Sequence, residues 1–304
     1  MYFNSETIRD KKRIKAVLNE AGLSCSTDET TFLPGGATSF AIKINDYVIR
    51  FPKSDDVCQS LRQEAKLSKF LQKHLPFRLR KKITQIRWNE DVSYPFSCHK
   101  MIKGKICDHC RGETDHNTLY DNLSPSQQDL LAADIADFLT ELHTIKKNNT
   151  NPMSEDWNCF IKDDFDQDAC RNALLKYSAD KIDLNKFTAK IPSCDFVFAH
   201  NDMSGSNLII DEKRPRVLQG VIDFANAGFM PRINEFFPYY KIHRGLARRI
   251  IVHYNDKNGN IINQTAIDYL ALGYFGYVLN SQEKRGGKPS AVLLEMLKRF
   301  IDDL

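Results

Sequence analysis

The most informative part of the sequence is Phe-Ala-His-Asn-Asp-Met-Ser-Gly-Ser-Asn at residues 198–207, together with Gly-Val-Ile-Asp-Phe at residues 220–224. The two segments form the pattern His-x-Asp-x-x-x-x-Asn, followed by a second aspartate at the end of an apolar run. Apolar residues flank both segments, which predicts that the polar groups lie at strand ends or on short loops. Either segment alone would indicate little, since an aspartate after an apolar run usually only caps a turn. Their order and spacing together favour a shared site.

Three side chains in these segments supply the groups that phosphoryl transfer requires. A carboxylate must accept the proton of the attacking hydroxyl, and an amide oxygen and another carboxylate must hold the magnesium that neutralises the triphosphate. Asp202, Asn207 and Asp223 provide these groups in that order. We therefore predict that Asp202 is the catalytic base and that Asn207 and Asp223 are ligands of Mg²⁺.

The same segments resemble the catalytic loop and metal-binding segment of aminoglycoside phosphotransferases, which are kinase-like enzymes that act on small molecules. His200 stands where a kinase catalytic loop carries its scaffolding histidine, and Asn201 replaces the arginine of the protein-kinase His-Arg-Asp. Tyr94–Gly104 resembles the interlobe hinge of the subgroup that acts at the 2″-hydroxyl, and Ala136–His143 resembles the end of the family's long helix. The resemblance covers most of the chain and weakens after about residue 230.

This resemblance implies an α+β, protein-kinase-like fold with two lobes. A small N-terminal lobe with an antiparallel sheet would span residues 1–103 and bind the nucleotide. A larger, mainly helical C-terminal lobe would span residues 104–304, bind the acceptor, and carry a helical insert around residues 150–190. The donor would be ATP or GTP with Mg²⁺ as cofactor, and the hinge residues His99 and Met101 would contact the nucleotide. The sequence does not distinguish ATP from GTP, because hinge recognition runs through backbone groups.

The N-terminal lobe contains a candidate phosphate-binding set. A kinase lobe pairs a helix glutamate with a strand lysine, and strand alternation places Arg50 at the lysine position, with Glu64 in the following helix. Guanidinium also contacts phosphate and carboxylate; Lys53 is the alternative, and Glu64 could instead be a solvated helix charge. The turn Pro34–Ser39 would cover the phosphates, with Ser39 among its small residues, although Pro-Gly-Gly is first of all a hairpin turn.

Two acidic features are candidates for contact with the acceptor. Asp163 and Asp164 belong to an aspartate cluster at the position of the family's helical insert, and Glu235 follows the second aspartate of the motif. Carboxylates would suit a polycationic substrate, although a helix N-terminus also favours aspartates. The basic run Lys241–Arg249 would repel such a substrate if it faced the acceptor; a solvated face that points elsewhere is the alternative.

The sequence therefore predicts transfer of the γ-phosphate of ATP or GTP to a hydroxyl of a small molecule. By resemblance the acceptor is an aminoglycoside, which would make the protein an antibiotic-resistance enzyme. Kinases for a macrolide, an amino alcohol or a sugar are alternatives. A nucleotide-binding pseudoenzyme is a further alternative, which Arg50 favours and the intact Asp202, Asn207 and Asp223 oppose. Protein kinase activity is disfavoured because no Ala-Pro-Glu segment follows Asp223.

Composition restricts the remaining classes. The net charge of +4 over 304 residues is too small to argue for a nucleic-acid or membrane partner. No apolar run has the length of a membrane span and the first residues lack a signal-peptide pattern, so we expect a cytoplasmic protein, or one exported by a signal that this pattern does not reveal. We also expect a monomer. The eight cysteines are scattered and are expected to be free thiols. Cys107–Cys110 with His116 resembles half of a zinc site, and no second pair completes it.

Overall fold

The computed structural model describes residues 2–4, 6–23, 30–33, 38–111, 115–146, 167–178, 195–214 and 216–302. The α-helices are α1 (Lys11–Glu20), α2 (Asp55–His74), α3 (Phe77–Arg80), α4 (Pro125–Leu142), α5 (Gln167–Ser178), α6 (Arg244–Asn258), α7 (Gln264–Lys284) and α8 (Ala291–Asp302). The strands are β1 (Thr31–Phe32), β2 (Ser39–Ile44), β3 (Tyr47–Pro52), β4 (Arg87–Asn89), β5 (Phe96–Lys100), β6 (Lys105–Ile106), β7 (Asp108–Arg111), β8 (Asp115–Thr118), β9 (Phe196–Ala199), β10 (Leu208–Ile210), β11 (Leu218–Val221) and β12 (Gly228–Pro231).

These elements form two compact units. The first contains the described residues up to Lys103 together with Ile222–Ala225, and the second contains the other described residues from Gly104 onward. The antiparallel sheet of the first unit and the helical second unit confirm the predicted kinase-like fold class. Across the described ranges, no helix combines the length and the apolar character that a membrane crossing requires.

The first unit is built on a five-stranded antiparallel sheet with the strand order β1-β2-β3-β5-β4. A tight turn joins β2 to β3, and Asn45 takes a φ of 52° there, which asparagine tolerates better than most residues. Along β3, Ile49 and Phe51 are buried in the main apolar core. Because side chains alternate along a strand, Arg50 lies on the opposite face.

The N-terminal segment forms one face of this core. The apolar positions Ile8, Ile14, Val17 and Leu18 have the spacing of one amphipathic helix. The structure instead has a 3-10 turn at Thr7–Arg9 and then α1, because Asp10 adopts an extended backbone and caps α1. Its side chain accepts hydrogen bonds from the N–H groups of Lys12 and Arg13. The core cluster consists of Phe3, Ile8, Ile14, Val17, Leu18, Ile42, Ile44, Ile49, Phe51, Phe96 and Cys98.

Helix α2 also packs on the sheet, against β3, β4 and β5. It begins after Ser54, whose side chain accepts from the Val57 N–H, and it has Asp55 and Asp56 in the first turn, where the helix dipole favours negative charge. Its buried face is apolar with the exception of Ser68 and Glu64, which is 1% exposed. A charge this deep requires a partner.

The second unit combines paired helices with three small sheets. Helix α4 packs on α6, and α5 packs on α7. A capping box between Ser124 and Gln127, with Pro125 in the first turn, begins α4 as the sequence indicated. The small sheets are β11-β10-β6, β12-β9 and β7-β8, all antiparallel.

Short turns precede α6 in the second unit. The residue pattern from Asn234 to Tyr254 predicts a single helix, but the structure has 3-10 turns at Arg232–Glu235 and Phe237–Lys241 before α6. Pro238 has no N–H to donate to the preceding turn. His243 then adopts an extended backbone, and its Nδ1 accepts from the Gly245 N–H at 2.9 Å, which begins a new helix.

Candidate active site

The first unit contains an arginine that joins two carboxylates. Arg50 Nη1 donates to Glu64 Oε2 at 2.8 Å, and Arg50 Nη2 lies 4.0 Å from Asp223 Oδ1. The Arg50 side chain is 17% exposed and the Asp223 side chain 40% exposed, so the set opens to solvent on the Asp223 side. Lys53, the alternative to Arg50, places its Nζ 4.7 Å from the ring centroid of Phe40. The geometry therefore favours Arg50 as the partner of Glu64.

Burial makes Glu64 a weaker acid than an exposed glutamate. Loss of solvent raises the pKa of Glu64 to about 7, and the charge of Asp223 adds to this shift. Arg50 and the backbone N–H of Phe224 oppose it. The carboxylate consequently titrates near neutral pH, and its pairing with Arg50 is strongest when it is ionised.

The other predicted nucleotide contacts also lie in the first unit. Ser39 begins β2 and is 4% exposed. His99 lies in β5 with its Nδ1 3.1 Å from the Lys100 carbonyl oxygen, and burial lowers the pKa of His99. The Met101 N–H donates to the Asp46 carbonyl oxygen at 2.7 Å. A nucleotide contact by Met101 would therefore use its carbonyl group or its side chain.

The catalytic-loop motif lies in the second unit, between β9 and β10. Asn207 is 6% exposed, and its Nδ2 donates to the Asp202 carbonyl oxygen at 2.8 Å and to Asp202 Oδ2 at 3.2 Å. His200 is fully buried, and its Nδ1 accepts from the Asp202 N–H at 3.2 Å. The spacing of the motif therefore places His200 and Asn207 where their side chains bind the backbone and the carboxylate of Asp202.

Both halves of the motif include a residue with a left-handed backbone. Asn201 has a φ of 65° and Asp223 a φ of 63°. Asparagine and aspartate visit this region more readily than other residues with a Cβ, but at a cost in free energy. Backbone strain of this kind is concentrated at functional sites, where the surrounding structure enforces it.

Glu235 is the support beneath the catalytic loop. It is fully buried, and its Oε2 accepts from the N–H groups of His200 at 2.7 Å and Asn201 at 3.3 Å. Pairing of β9 with β12 brings the segment that carries Glu235 next to the loop that starts at His200. Burial raises the pKa of Glu235 to about 8; the two N–H groups oppose the shift, and the charge of Asp202 adds to it.

This geometry revises the expectation that Glu235 contacts the acceptor, because a fully buried carboxylate has no surface to offer an ammonium group. The sequence did contain a signal for the supporting role. Glu235 directly precedes the apolar residues Phe236 and Phe237, and a charge next to such residues can be buried when it has specific partners.

Several predicted contacts fall in parts of the chain that the structure does not describe. Asp163 and Asp164 lie outside the described residues, and so does Pro34–Ala37 of the predicted phosphate turn. These assignments stay predictions. Among the side chains that the structure describes, no group of three or more His, Cys, Asp and Glu is placed to hold a metal ion.

The chemistry of Asn207 and Asp223 fits Mg²⁺. Asn207 uses its Nδ2 to hold Asp202, which leaves its amide oxygen Oδ1 as the group to offer a ligand. Asp223 offers a carboxylate that is 40% exposed. Both are oxygen donors, the type that Mg²⁺ prefers in proteins.

The basic residues of α6 are paired with acids inside the second unit. Arg244 and Arg248 both donate to Asp268 Oδ2, at 2.8 Å and 2.9 Å. Arg249 Nη1 lies 3.6 Å from Asp129 Oδ1, and His253 Nε2 lies 3.0 Å from the same oxygen. The basic residues of α6 are therefore not all exposed to solvent, and acidic side chains compensate part of their charge.

Comparison with known proteins places this architecture in a family. The model of the APH phosphotransferase enzyme family matches residues 29–262, which is more than half of the chain. A search of the curated proteins gave no match.

Solved phosphotransferase structures share the fold over nearly the whole chain. The GDP complex of wild-type aminoglycoside 2'-phosphotransferase-IIIa has a TM-score of 0.68 and 17% identity, and covers 97% of this chain and 99% of that chain. The streptomycin–ATP–APH(2")-IIa ternary complex has a TM-score of 0.63 and 24% identity, with 98% and 99% covered. Macrolide 2'-phosphotransferase MphH from Brachybacterium faecium has a TM-score of 0.64 and 11% identity, with 97% and 98% covered. At these identities the structural likeness shows the fold, while the family model shows the membership: the chain belongs to the APH phosphotransferase enzyme family.

Proposed function

We propose that this phosphotransferase moves the γ-phosphate of a nucleoside triphosphate to a hydroxyl group of an aminoglycoside. The observation that carries the proposal is the setting of Asp202. Its carboxylate is held at 3.2 Å by Asn207, on a loop whose backbone is fixed to the buried Glu235. A carboxylate that is positioned in advance can orient a hydroxyl group and accept its proton.

In the proposed reaction the acceptor oxygen attacks the γ-phosphorus, and the bond from that phosphorus to the β–γ bridging oxygen breaks. The acceptor proton passes to the Asp202 carboxylate, and the nucleoside diphosphate leaves. Arg50 contacts the phosphates as a planar cation, and its ion pair with Glu64 at 2.8 Å fixes the direction of the guanidinium group. This pair takes the place of the lysine–glutamate pair of protein kinases.

The donor set of Asn207 and Asp223 would hold Mg²⁺. When bound, the ion neutralises charge on the phosphate oxygens. Asn207 would then have two functions, since its Nδ2 holds Asp202 and its Oδ1 would be left to bind the ion. Asp223 would similarly contact both the ion and, at 4.0 Å, the Arg50 guanidinium group.

An aminoglycoside is the acceptor that the observations favour. Aminoglycoside phosphotransferases are among the solved structures that share the fold. The sequence suggested that the basic run in α6 would repel a cationic substrate. This repulsion is weaker than expected, because Arg244, Arg248 and Arg249 each lie beside an aspartate. We propose Asp163 and Asp164 as contacts for the ammonium groups of the substrate.

A macrolide is the second candidate, because a macrolide 2'-phosphotransferase shares the fold with a TM-score of 0.64, in the same range as the aminoglycoside enzymes. A macrolide carries fewer amino groups than an aminoglycoside, so the acidic cluster at Asp163 and Asp164 would matter less for its binding. The two acceptor classes therefore differ in what neutralising those aspartates would do.

A coupled assay of nucleoside diphosphate release tests the proposal. ATP and GTP are each combined with aminoglycosides, macrolides and amino alcohols, and products are checked by mass for one added phosphate. Asp202→Asn is the inactive control, and a bacterial strain expressing the protein gives resistance as an independent readout. Phosphorylated macrolide without phosphorylated aminoglycoside would select the second candidate. Nucleotide binding with no phosphorylated acceptor would overturn both.

A further inference from the structure

Residues 65–89 of the first unit are strongly basic. They contain eight of the 43 Lys and Arg residues of the chain and none of its 39 Asp and Glu residues. The rest of the chain therefore has a net negative charge, and the overall charge of +4 conceals this asymmetry. The segment includes the second half of α2 and continues through α3 to the end of β4. A local excess of this size attracts anionic partners.

The lysines of α2 form a row along one side of the helix. Lys66, Lys69 and Lys73 have the three- and four-residue spacing that places side chains on one helix face, and all three are exposed. The row extends about 10 Å along the helix axis. Within the part of the chain that the structure describes, α2 forms ion pairs through Glu64 and Arg62 and not through these lysines. Their charges are therefore available to a partner.

A further segment of the chain lies beside the lysine row. Gln72 Nε2 donates to the Arg80 carbonyl oxygen at 3.0 Å, and Ser68 Oγ accepts from the Ile86 N–H at 2.8 Å. These contacts hold the chain from Arg80 to Ile86 along α2, in the opposite direction. Ser68 and Gln72 each directly precede a lysine of the row, so the segment runs next to the row. Arg87 follows the segment and is exposed, which adds a positive charge to this surface.

An aromatic pair flanks the lysine row on its other side. Phe70 and His74 each directly follow a lysine of the row, and their rings are stacked with centroids 4.0 Å apart. His74 Nδ1 also lies 2.8 Å from the Phe70 carbonyl oxygen, which fixes the imidazole ring in place. Phe70 is half-buried and His74 is exposed. The imidazole therefore packs one face on the phenyl ring and leaves its other face to solvent, beside the cations.

We propose that this basic face, which consists of Lys66, Lys69, Lys73, Arg87 and His74, binds a single-stranded nucleic acid. The four cations contact phosphate oxygens, and the imidazole of His74 stacks on an unpaired base. Rows of cations next to aromatic rings are the arrangement by which proteins bind single strands. The face is defined by residues of the first unit alone, and this function is separate from phosphate transfer.

A single strand uses more of this face than other anionic partners do. An anionic membrane would use only the charges, since none of the large apolar side chains described within residues 65–89 is exposed for insertion. An acidic polypeptide would likewise leave the aromatic pair unused. The lysine row lies on the side of α2 away from the buried Glu64, so a bound strand leaves the pair of Arg50 and Glu64 in place.

Fluorescence anisotropy with a labelled oligouridylate of about 12 nucleotides, within the site sizes of single-strand binding proteins, tests the proposal on the full-length protein. We expect log Kd to rise with log KCl concentration with a slope of about 3, since about four phosphate contacts contribute about 0.7 each. An abasic strand of equal length tests the stacking. His74→Ala should raise the Kd for oligouridylate about fivefold or more and leave the Kd for the abasic strand unchanged.

Two double variants provide a matched comparison. Lys69→Gln with Lys73→Gln removes two charges from the basic face, and Lys12→Gln with Lys15→Gln removes two exposed charges from α1, which packs on the core face of the sheet. We expect the first variant to bind more weakly and to lower the salt slope by about 1.4, because each lost phosphate contact removes about 0.7. The second should leave both quantities unchanged. Equal slopes in the two variants, or binding to phosphatidylserine vesicles or polyglutamate without binding to oligouridylate, would overturn the proposal.

Discussion

At the scale of single residues, Asp202 is the group whose removal should separate chemistry from binding. We expect Asp202→Asn to lower turnover by about two to four orders of magnitude, since an amide cannot accept the hydroxyl proton. Nucleotide affinity should stay near that of the wild type, because the base acts on the acceptor. Steady-state kinetics with the best acceptor, together with calorimetric nucleotide binding, measures both quantities. Turnover at the wild-type rate would show that the base is another group.

Glu235 makes a different contribution, through the backbone of the loop. In the folded protein its pKa is about 8, compared with about 4.3 for a glutamate in an unfolded chain. The folded state therefore holds a proton that the unfolded state releases, and the stability contributed by this proton is present below about pH 4.3 and is lost as pH rises to about 8. The substitution Glu235→Gln removes this proton equilibrium, because an amide keeps the oxygen acceptor but does not titrate in this range.

We therefore expect wild-type stability to fall relative to Glu235→Gln as pH rises from about 4.3 to about 8. Urea unfolding of both proteins across this range measures the difference, and contributions from other titrating groups such as Glu64 cancel between them. Glu235→Ala should be less stable than either at every pH, by about 2 kcal/mol or more, because it leaves the buried N–H groups of His200 and Asn201 without an acceptor. Parallel pH profiles for the wild type and Glu235→Gln would mean that Glu235 stays ionised.

At the scale of elements, the register of β3 determines which cation would contact the phosphates in the proposed site. Ile49 and Phe51 face the core, and Arg50 points to Glu64 on α2. We expect Arg50→Ala to raise the KM for the nucleotide and to lower turnover, and Arg50→Lys to restore part of the loss, since an ammonium group still reaches phosphate. Lys53→Ala is the matched control and should change both constants much less. The opposite order of the two alanine variants would move the role to Lys53.

Some helices and strands are specified by residues within or next to them, and these elements could be predicted from the sequence. The apolar positions of α2 recur at helical spacing, and Ser124, Pro125 and Gln127 form a helix-start pattern at the beginning of α4. The alternation along β3 placed Arg50 on the face opposite the core. In each case the signal lies within a few residues of the element, in a cap, a turn or a period of apolar positions.

Elements and roles that depend on distant contacts were harder to predict. The break between the 3-10 turns and α6 arises at Pro238 and His243, where the apolar pattern alone continues. The burial of Glu235 results from its pairing with a loop about 35 positions earlier in the chain. The basic run of α6 similarly obtains its acids from α4 and α7. Partners of this kind are brought together by tertiary structure and leave little trace in the local sequence.

At the scale of the whole molecule, the family fold carries the proposed phosphotransfer groups, and the acceptor would be determined by other parts of the chain. Asp202, Asn207 and Asp223 lie at strand ends and short loops, which the fold holds in place. Acceptor recognition depends on loops and inserts, which vary more than the elements they join. Related folds therefore act on different substrates, as the aminoglycoside and macrolide phosphotransferases with this fold illustrate.

Measuring both the stabilisation by nucleotide and the turnover distinguishes an active phosphotransferase from a protein that only binds nucleotide. A ligand of the folded state adds about 2.7 kcal/mol of stability at a concentration of about one hundred times its Kd. We expect ATP or GTP with Mg²⁺ to raise Tm, and chelation of the metal to remove most of the increase, because Asn207 and Asp223 would hold the ion that neutralises the phosphate charge. Asp223→Ala should lose the increase, and Asp202→Asn should keep it while losing turnover.

A wild-type protein that gains stability from the nucleotide and phosphorylates none of the acceptors would be a pseudoenzyme. A Tm that does not respond to either nucleotide would contradict the assignment of Arg50, Asn207 and Asp223 to the donor site, whatever the acceptor.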